Sequence, residues 1–334
     1  MFVRNEERGI AEWIAYHSLI GFDSFIIYHN SSTDNTYSVL DRLRRFFDIK
    51  IIDWPRNSKY SQLEAYDDCI KNFTVDFDWI AFVDSDEFIN PIADRCVKKF
   101  LAFHENSNAI VLNRALFGSS GHDRIPAGLI IEDFTHRAVD RHGVNFHTKM
   151  IVRPRKVVRV HNPHMIDVEG PTAHADGTPF REVPIGLSAD ISGFNICRVN
   201  HYFVRSAEHW EAKMRRGYRE GIRPAEHFAS HDTNDIEDES AARWAPEVRQ
   251  VLAAVDDFPL RERSEVHGGA SSEEEKRSDG WASIASTVDD VLYRAPREAL
   301  RDGNTLFDPE WYRATYADVA ASTTVHDTAT AARP

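Results

Sequence analysis

Residues 78–91 read DWIAFVDSDEFINP. Trp79, Ile80, Ala81, Phe82 and Val83 form an unbroken apolar run, and three acids then fall within four residues: Asp84, Asp86 and Glu87. A short apolar run ended by a turn signal reads as a strand buried on both faces. Such strands belong to parallel sheets covered by helices, in which ligands bind at the carboxyl ends of the strands. The acids stand at such an end.

The flanking segments repeat the pattern. Residues 6–20 (EERGIAEWIAYHSLI) open on acids, place Ile10, Trp13, Ile14 and His17 at roughly helical spacing, and stop at Gly21. Ser24–Tyr28 (SFIIY) is a short apolar strand. Ser31, Ser32 and Thr33 are N-cap candidates for a helix bearing Val39, Leu40, Leu43, Phe46 and Phe47. A strand over 49–54, a helix over 61–72, the strand at 78–84 and a strand at 109–117 follow. Strand–helix alternation with short connections predicts an α/β fold with a mostly parallel sheet flanked by helices. Residues 145–205 mix strands with many His and Pro, and 206–228 read as a basic helix. The expected organisation is a domain over 1–228, an acidic flexible linker over 229–280, and a small helical module over 281–334.

Composition bounds the function. Lys and Arg number 40 against 53 Asp and Glu, a net charge of −13. Nucleic-acid binding needs clustered cations, so it is not expected. Cys69, Cys96 and Cys197 are widely spaced and give neither a disulfide framework nor a zinc spacing. They read as reduced thiols of a cytoplasmic protein. No run is long and apolar enough for a membrane span, and the opening residues have no secretory pattern.

Asp84 and Asp86, one residue apart at a strand tip, can face one cation. Mg²⁺ or Mn²⁺ takes one or two carboxylates plus substrate phosphates, and it neutralises charge on a leaving diphosphate. An isolated D-x-D more often caps a turn. An EF-hand is excluded because Phe88 stands at the next ligand position and the glycine is missing.

The opening FVRNEERGIAEWIAYHSLIGFDSFIIYHNSSTDNT resembles the GT-A-fold glycosyltransferases, in the family-2-like and family-92-like group, with bacterial members in view. It holds N-E-x-x-x-x-x-E-W-x-x-Y-H, a strand, and S-T-D-x-T. WP at 54–55, QLEAYDDC at 62–69, DWIAFVDSDEF at 78–88, KMIVRP at 149–154 and NHYFVRS at 200–206 follow in order. The resemblance spans about residues 1–220. It implies a Rossmann-like GT-A fold and inverting, hexosyl-type transfer from a nucleotide sugar, UDP-linked by expectation. The implied acceptor is a glycan or glycolipid. The implied cofactor is Mn²⁺ or Mg²⁺, and the implied place is the cytoplasm or the inner face of a membrane.

Carried over residue by residue, the resemblance sets Asn5, Glu6, Asn30 and Asp34 on the nucleotide side. Asp34 also suits a first helical turn through the helix dipole. His29 stands where many relatives carry an acid. Asp84 and Asp86 become the metal acids, with His201 as third ligand and His161 and His164 as rivals. Lys149 and Arg153 become candidates for the donor diphosphate, against a solvated strand face, which is the usual fate of Lys and Arg. Lys213, Arg215 and Arg216 could close over the diphosphate, lean toward an anionic membrane, or form a solvated helix face. Glu132 is the first candidate for the general base, with Asp133 and Glu87 behind it.

Two departures accompany the match. The first strand has about three residues before Asn5, which leaves a short sheet edge or a true start upstream. The tail FDPEWYRATYADVA (307–320) resembles an aromatic module of bacterial surface-polysaccharide glycosyltransferases. Rival readings are a non-catalytic sugar-nucleotide-binding relative, a nucleotidyltransferase and a structural interaction protein. The nucleotidyltransferase reading lacks a Gly-rich basic loop after the first strand, where FVRNEERG stands.

Overall fold

The computed structural model describes residues 1–183, 186–215 and 226–257. Arg216, the 262–280 linker segment and the 281–334 module lie outside the described residues.

The first half forms the expected alternation. β1 (Phe2–Val3), β2 (Ser24–His29) and β3 (Asp48–Asp53) make a parallel sheet in that order. α1 (Ile10–Leu19) and α2 (Thr36–Leu43) connect them. α1 is buried almost all round, through Ile10, Trp13, Ile14, Tyr16 and Leu19, so it is a core helix rather than an amphipathic one. It ends where Gly21 takes φ +106, a left-handed geometry that suits glycine. α2 starts later than the expected caps. Ser32 and Thr33 instead bond Asn5 of the neighbouring loop, and Asp34 accepts the Thr36 amide.

α3 (Ser61–Phe73) leads to β4 (Ile80–Ala81), and a tight turn joins β4 to β5 (Glu87–Asn90). The predicted strand at 78–84 is therefore short, and through the acids the chain passes from β4 at one edge of a sheet to β5 at the other. α4 (Val97–Ala102), β6 (Ala109–Leu116), α5 (Ile130–Asp133), β7 (Thr148–Val152), β8 (Thr172–His174) and β9 (Arg198–His201) follow. These strands make a second sheet, ordered β4-β7-β6-β9-β5, with β8 also on β6. It is mixed rather than mostly parallel. β7 runs antiparallel to β4 and β6, and β5 antiparallel to β9.

α6 (Ala207–Arg215), α7 (Glu226–His231) and α8 (Ala245–Asp257) complete the described chain. The expected linker is thus folded up to 257. Val248, Val251 and Val255 of α8 are buried in the main core with α1. Each buried valine contributes about 1.5–3 kcal/mol. Their helical spacing is an apolar stripe that acidic composition masked. Asp238 secures the approach to α8 by pairing with the buried Arg198 and Arg137. Cys69 and Cys197 are buried and Cys96 half-buried, all as free thiols. No described helix is long and apolar enough to cross a membrane.

Candidate active site

The site is built on the turn between β4 and β5. The Glu87 amide donates to the Asp84 carbonyl at 3.1 Å, and the Glu87 carboxylate accepts the Asp84 amide at 2.9 Å. The turn is anchored from three sides. Trp13 of α1 donates its indole N–H to the Glu87 carbonyl, His17 of α1 accepts the Ile89 amide, and the Tyr202 amide donates to the Asp86 carbonyl. Burial holds His17 down near 3, so it is a neutral acceptor at Nε2 while Nδ1 faces the Trp13 carbonyl.

Each acid has a cation. Lys149 of β7, with 1% of its side chain exposed, sits 2.8 Å from Asp84 and 3.0 Å from Glu87. Gln62 of α3 donates to the second Asp84 oxygen at 2.6 Å. Glu87 is fully buried, and Arg114 of β6 lies 2.8 Å from its other oxygen. Lys213 of α6 lies 3.1 Å from Asp86 Oδ2, and His201 Nε2 lies 3.5 Å from Oδ1. Burial and Asp86 would raise the Asp84 carboxyl, but Lys149 outweighs both and holds it at about 2. Burial would also raise Asp86, yet Lys213, His201 and Arg205 keep it well below the usual carboxylate range. Both acids are ionised at neutral pH.

The donor set suits a divalent ion at Asp86. Two ligands about 2.1 Å from one ion lie about 3–3.5 Å apart, which matches Asp86 Oδ1 and His201 Nε2. Asp84 has both oxygens committed to Lys149 and Gln62. Among the described residues no three His, Cys, Asp or Glu side chains form a complete metal site by themselves.

The loops after β1, β2 and β3 meet beside this turn. Asn5, at φ +56, accepts the Thr33 amide through its side chain, and the Glu6 amide donates to Thr36 Oγ1. Asn30 donates to the Trp54 and Arg56 carbonyls at 2.7 Å each. Burial would raise Asp34, but hydrogen bonds from Thr36 and Glu7 leave it below its ordinary value. The Glu6 carboxylate faces Arg205 at 4.0 Å. Arg205 links these loops to the turn, since it faces Glu6 and also acts on Asp86.

Residues 1–237 match the sequence profile of glycosyltransferase family 92. The chain belongs to glycosyltransferase family 92. It is 30% identical over 172 residues to a family 92 protein of Oryza sativa subsp. japonica, covering 50% of this chain and 27% of that protein. It is 29% identical over 224 residues to one from Ricinus communis, covering 65% of this chain and 36% of that protein. The chain therefore spans about a third of the length of these curated relatives. The crystal structure of S. aureus TarS residues 1–349 covers 92% of this chain, with 91% of its own length matched. That likeness has 16% identity and a TM-score of 0.33, a level at which nothing about the site carries across.

Within this family 92 fold, the structure gathers Asp84, Asp86, Glu87, Lys149 and His201, and it separates two other candidates. Arg153 lies just past the far end of β7. Four residue steps along an extended strand put Lys149 and Arg153 about 13 Å apart, and because β7 runs antiparallel to β4 the step leads away from the acids. Arg153 instead donates to the Ser107 and Glu105 carbonyls and lies 4.2 Å from the Trp79 ring. Glu132 sits in α5, not on a strand, and pairs with Arg249 of α8 on the outside. Glu87 is a buried brace between Lys149 and Arg114, closed to an acceptor hydroxyl. His161 is engaged with Arg159 and Asp167 on the 157–168 hairpin. His164 lies against Arg114, and burial together with that cation holds it near 2. Arg215 is exposed and pairs with Glu211 on its own helix.

Gln62, Arg114 and Arg205 were not singled out as site residues. Gln62 and Arg205 fall inside the matching pieces QLEAYDDC and NHYFVRS, which was the available signal. Arg205 is buried, takes φ +50, and reaches Glu6 and His209. Arg114 lies inside an apolar strand and had no signal beyond its own charge.

Proposed function

We propose that this chain transfers a sugar from a nucleotide-sugar donor, UDP-linked, to a hydroxyl of a glycan or glycolipid acceptor, with inversion. The observation that carries the reading is the ionised pair Asp84 and Asp86 at the β4 tip of a family 92 fold, ringed by Lys149, Lys213, Arg114 and His201. Asp86 with His201 would hold Mn²⁺ or Mg²⁺, which supplies charge neutralisation on the leaving diphosphate.

The chain's residues do the rest. Lys149 keeps Asp84 ionised, pairs with Glu87 and fixes the turn. Trp13 and His17 hold that turn to α1. The Asn5, Asn30 and Asp34 loops take the nucleotide side. Preorganised charge of this kind lowers the barrier because it needs no rearrangement during transfer.

The competing reading is a sugar-nucleotide-binding relative without catalysis. Glu87 is buried between Lys149 and Arg114 and Glu132 pairs with Arg249, so both are committed to cations, which favours that reading enough to require a direct test. Hydrolysis and transfer are measured across a nucleotide-sugar panel with and without Mn²⁺, for wild type and Asp86→Ala. Metal-dependent turnover of one donor, lost in the folded variant, is expected. Binding without turnover supports the binding module, and full activity of Asp86→Ala refutes the site.

A further inference from the structure

Asp86, the acid assigned above to the divalent ion, is already held by a cation of the chain. Lys213 Nζ lies 3.1 Å from Asp86 Oδ2, donates to the Phe203 carbonyl at 3.0 Å, and sits 4.1 Å from the Phe203 ring centroid. That ring also packs against His201 and against Trp210 of α6, so the ammonium is caged beside the second metal-suited ligand. A cation over an aromatic face and on a carboxylate is favourably placed.

Three carboxylates, Asp84, Asp86 and Glu87, face the cations Lys149, Lys213 and Arg114, and Arg205 adds positive charge toward Asp86. A divalent ion entering alone meets repulsion from an ammonium on the same carboxylate. The conflict ends if Lys213 moves to the donor's diphosphate, whose negative charge gives it a new partner.

We propose that Lys213 is a displaceable counter-ion, pairing with Asp86 before ion and donor bind and moving to the donor diphosphate when the divalent ion takes the carboxylate. Lys213 stands on the last turn of α6, so its exchange ties the end of that helix to donor binding. The inference rests on the metal reading of the site and adds a coupling to it: ion and nucleoside diphosphate bind together far better than either alone.

The test is Mn²⁺ titration by electron paramagnetic resonance, with and without UDP. Wild type, Lys213→Met, Lys213→Arg, Phe203→Leu and Arg215→Met are compared, with thermal melts to establish folding. Lys213→Met is expected to bind Mn²⁺ alone about tenfold or more tightly than wild type, and to lose most of the enhancement by UDP. Lys213→Arg keeps the wild-type pattern. Arg215→Met removes the same charge from the exposed side of α6 and also keeps it. Phe203→Leu loosens the cage without touching Asp86 and shifts Mn²⁺ affinity in the same direction by less, which preserves the test if Lys213→Met does not fold. Equal Mn²⁺ affinity in wild type and both cage variants overturns the exchange and leaves the metal reading standing. No Mn²⁺ binding by any folded form, with or without UDP, overturns the metal reading and the exchange with it.

Discussion

Replacing Lys149 with methionine tests the charge arrangement at its centre. The substitution keeps an unbranched side chain of similar length in a site with 1% exposure, so packing changes little. It removes the cation 2.8 Å from Asp84 and 3.0 Å from Glu87. The drop of Asp84 from 3.8 to about 2 corresponds to about 2–3 kcal/mol in favour of the folded state at neutral pH. Glu87, fully buried, loses a partner as well. Removing one member of a buried ion pair costs about 3–5 kcal/mol, which is the expected loss. At about 2–4 °C per kcal/mol for a chain of this size, the melting midpoint falls by about 10 °C. The sign with pH follows from the depressed carboxyl. In wild type its contribution is complete above about pH 4 and is lost as pH falls toward 2. In Lys149→Met the acid limb of the stability curve moves toward neutral pH. Adding Asp84→Asn to Lys149→Met recovers part of the loss by removing the carboxylate left without a contacting cation, whereas Glu87 keeps Arg114. The assay is urea unfolding followed by tryptophan fluorescence from pH 3 to 8. A loss below about 1 kcal/mol at pH 7, or no recovery in the double variant, refutes the reasoning.

Three further outcomes separate site from scaffold. Arg153→Ala and Glu132→Gln keep transfer or donor binding within about twofold, because Arg153 serves carbonyls at the far end of β7 and Glu132 sits in an exposed pair worth about 0–1 kcal/mol. A hundredfold loss in either would return that residue to the site. Glu12, buried and accepting the Ile130 and Ile131 amides, is raised from 4.5 to about 7, chiefly by burial. Its share of stability therefore declines by about 3 kcal/mol as pH rises from 4.5 to 7, and Glu12→Gln flattens that segment of the pH–stability curve measured by thermal melts. Val251→Asp places an unpaired charge between α8 and α1 and costs several kcal/mol, read as loss of soluble protein or of a cooperative melt. A normal melt would mean that α8 is dispensable to the core.

Much of the fold was legible locally. The apolar runs of β2, β3 and β6 and the turn at Asp84–Glu87 are short-range patterns, and strand and helix periodicity act over a few residues. The ordered motifs also located Asp84 and Asp86 at a strand tip. The mixed second sheet was not legible, because strand direction in β7 depends on a return path through the 118–147 region rather than on the strand's own residues.

By itself, then, the sequence determined the α/β alternation, the acids at the end of an apolar strand and the family to which their order belongs. Tertiary structure alone decided what each charge meets. Lys149 is separated from Asp84 by 65 residues, and Lys213 from Asp86 by 127. Arg153, four residues beyond Lys149, is carried away from the site by the direction of one strand. Glu132 turns to Arg249 because α8 packs where a linker was expected. A carboxylate's ionisation and role depend on the burial and the cations that surround it, and those come together only when distant segments of the chain pair.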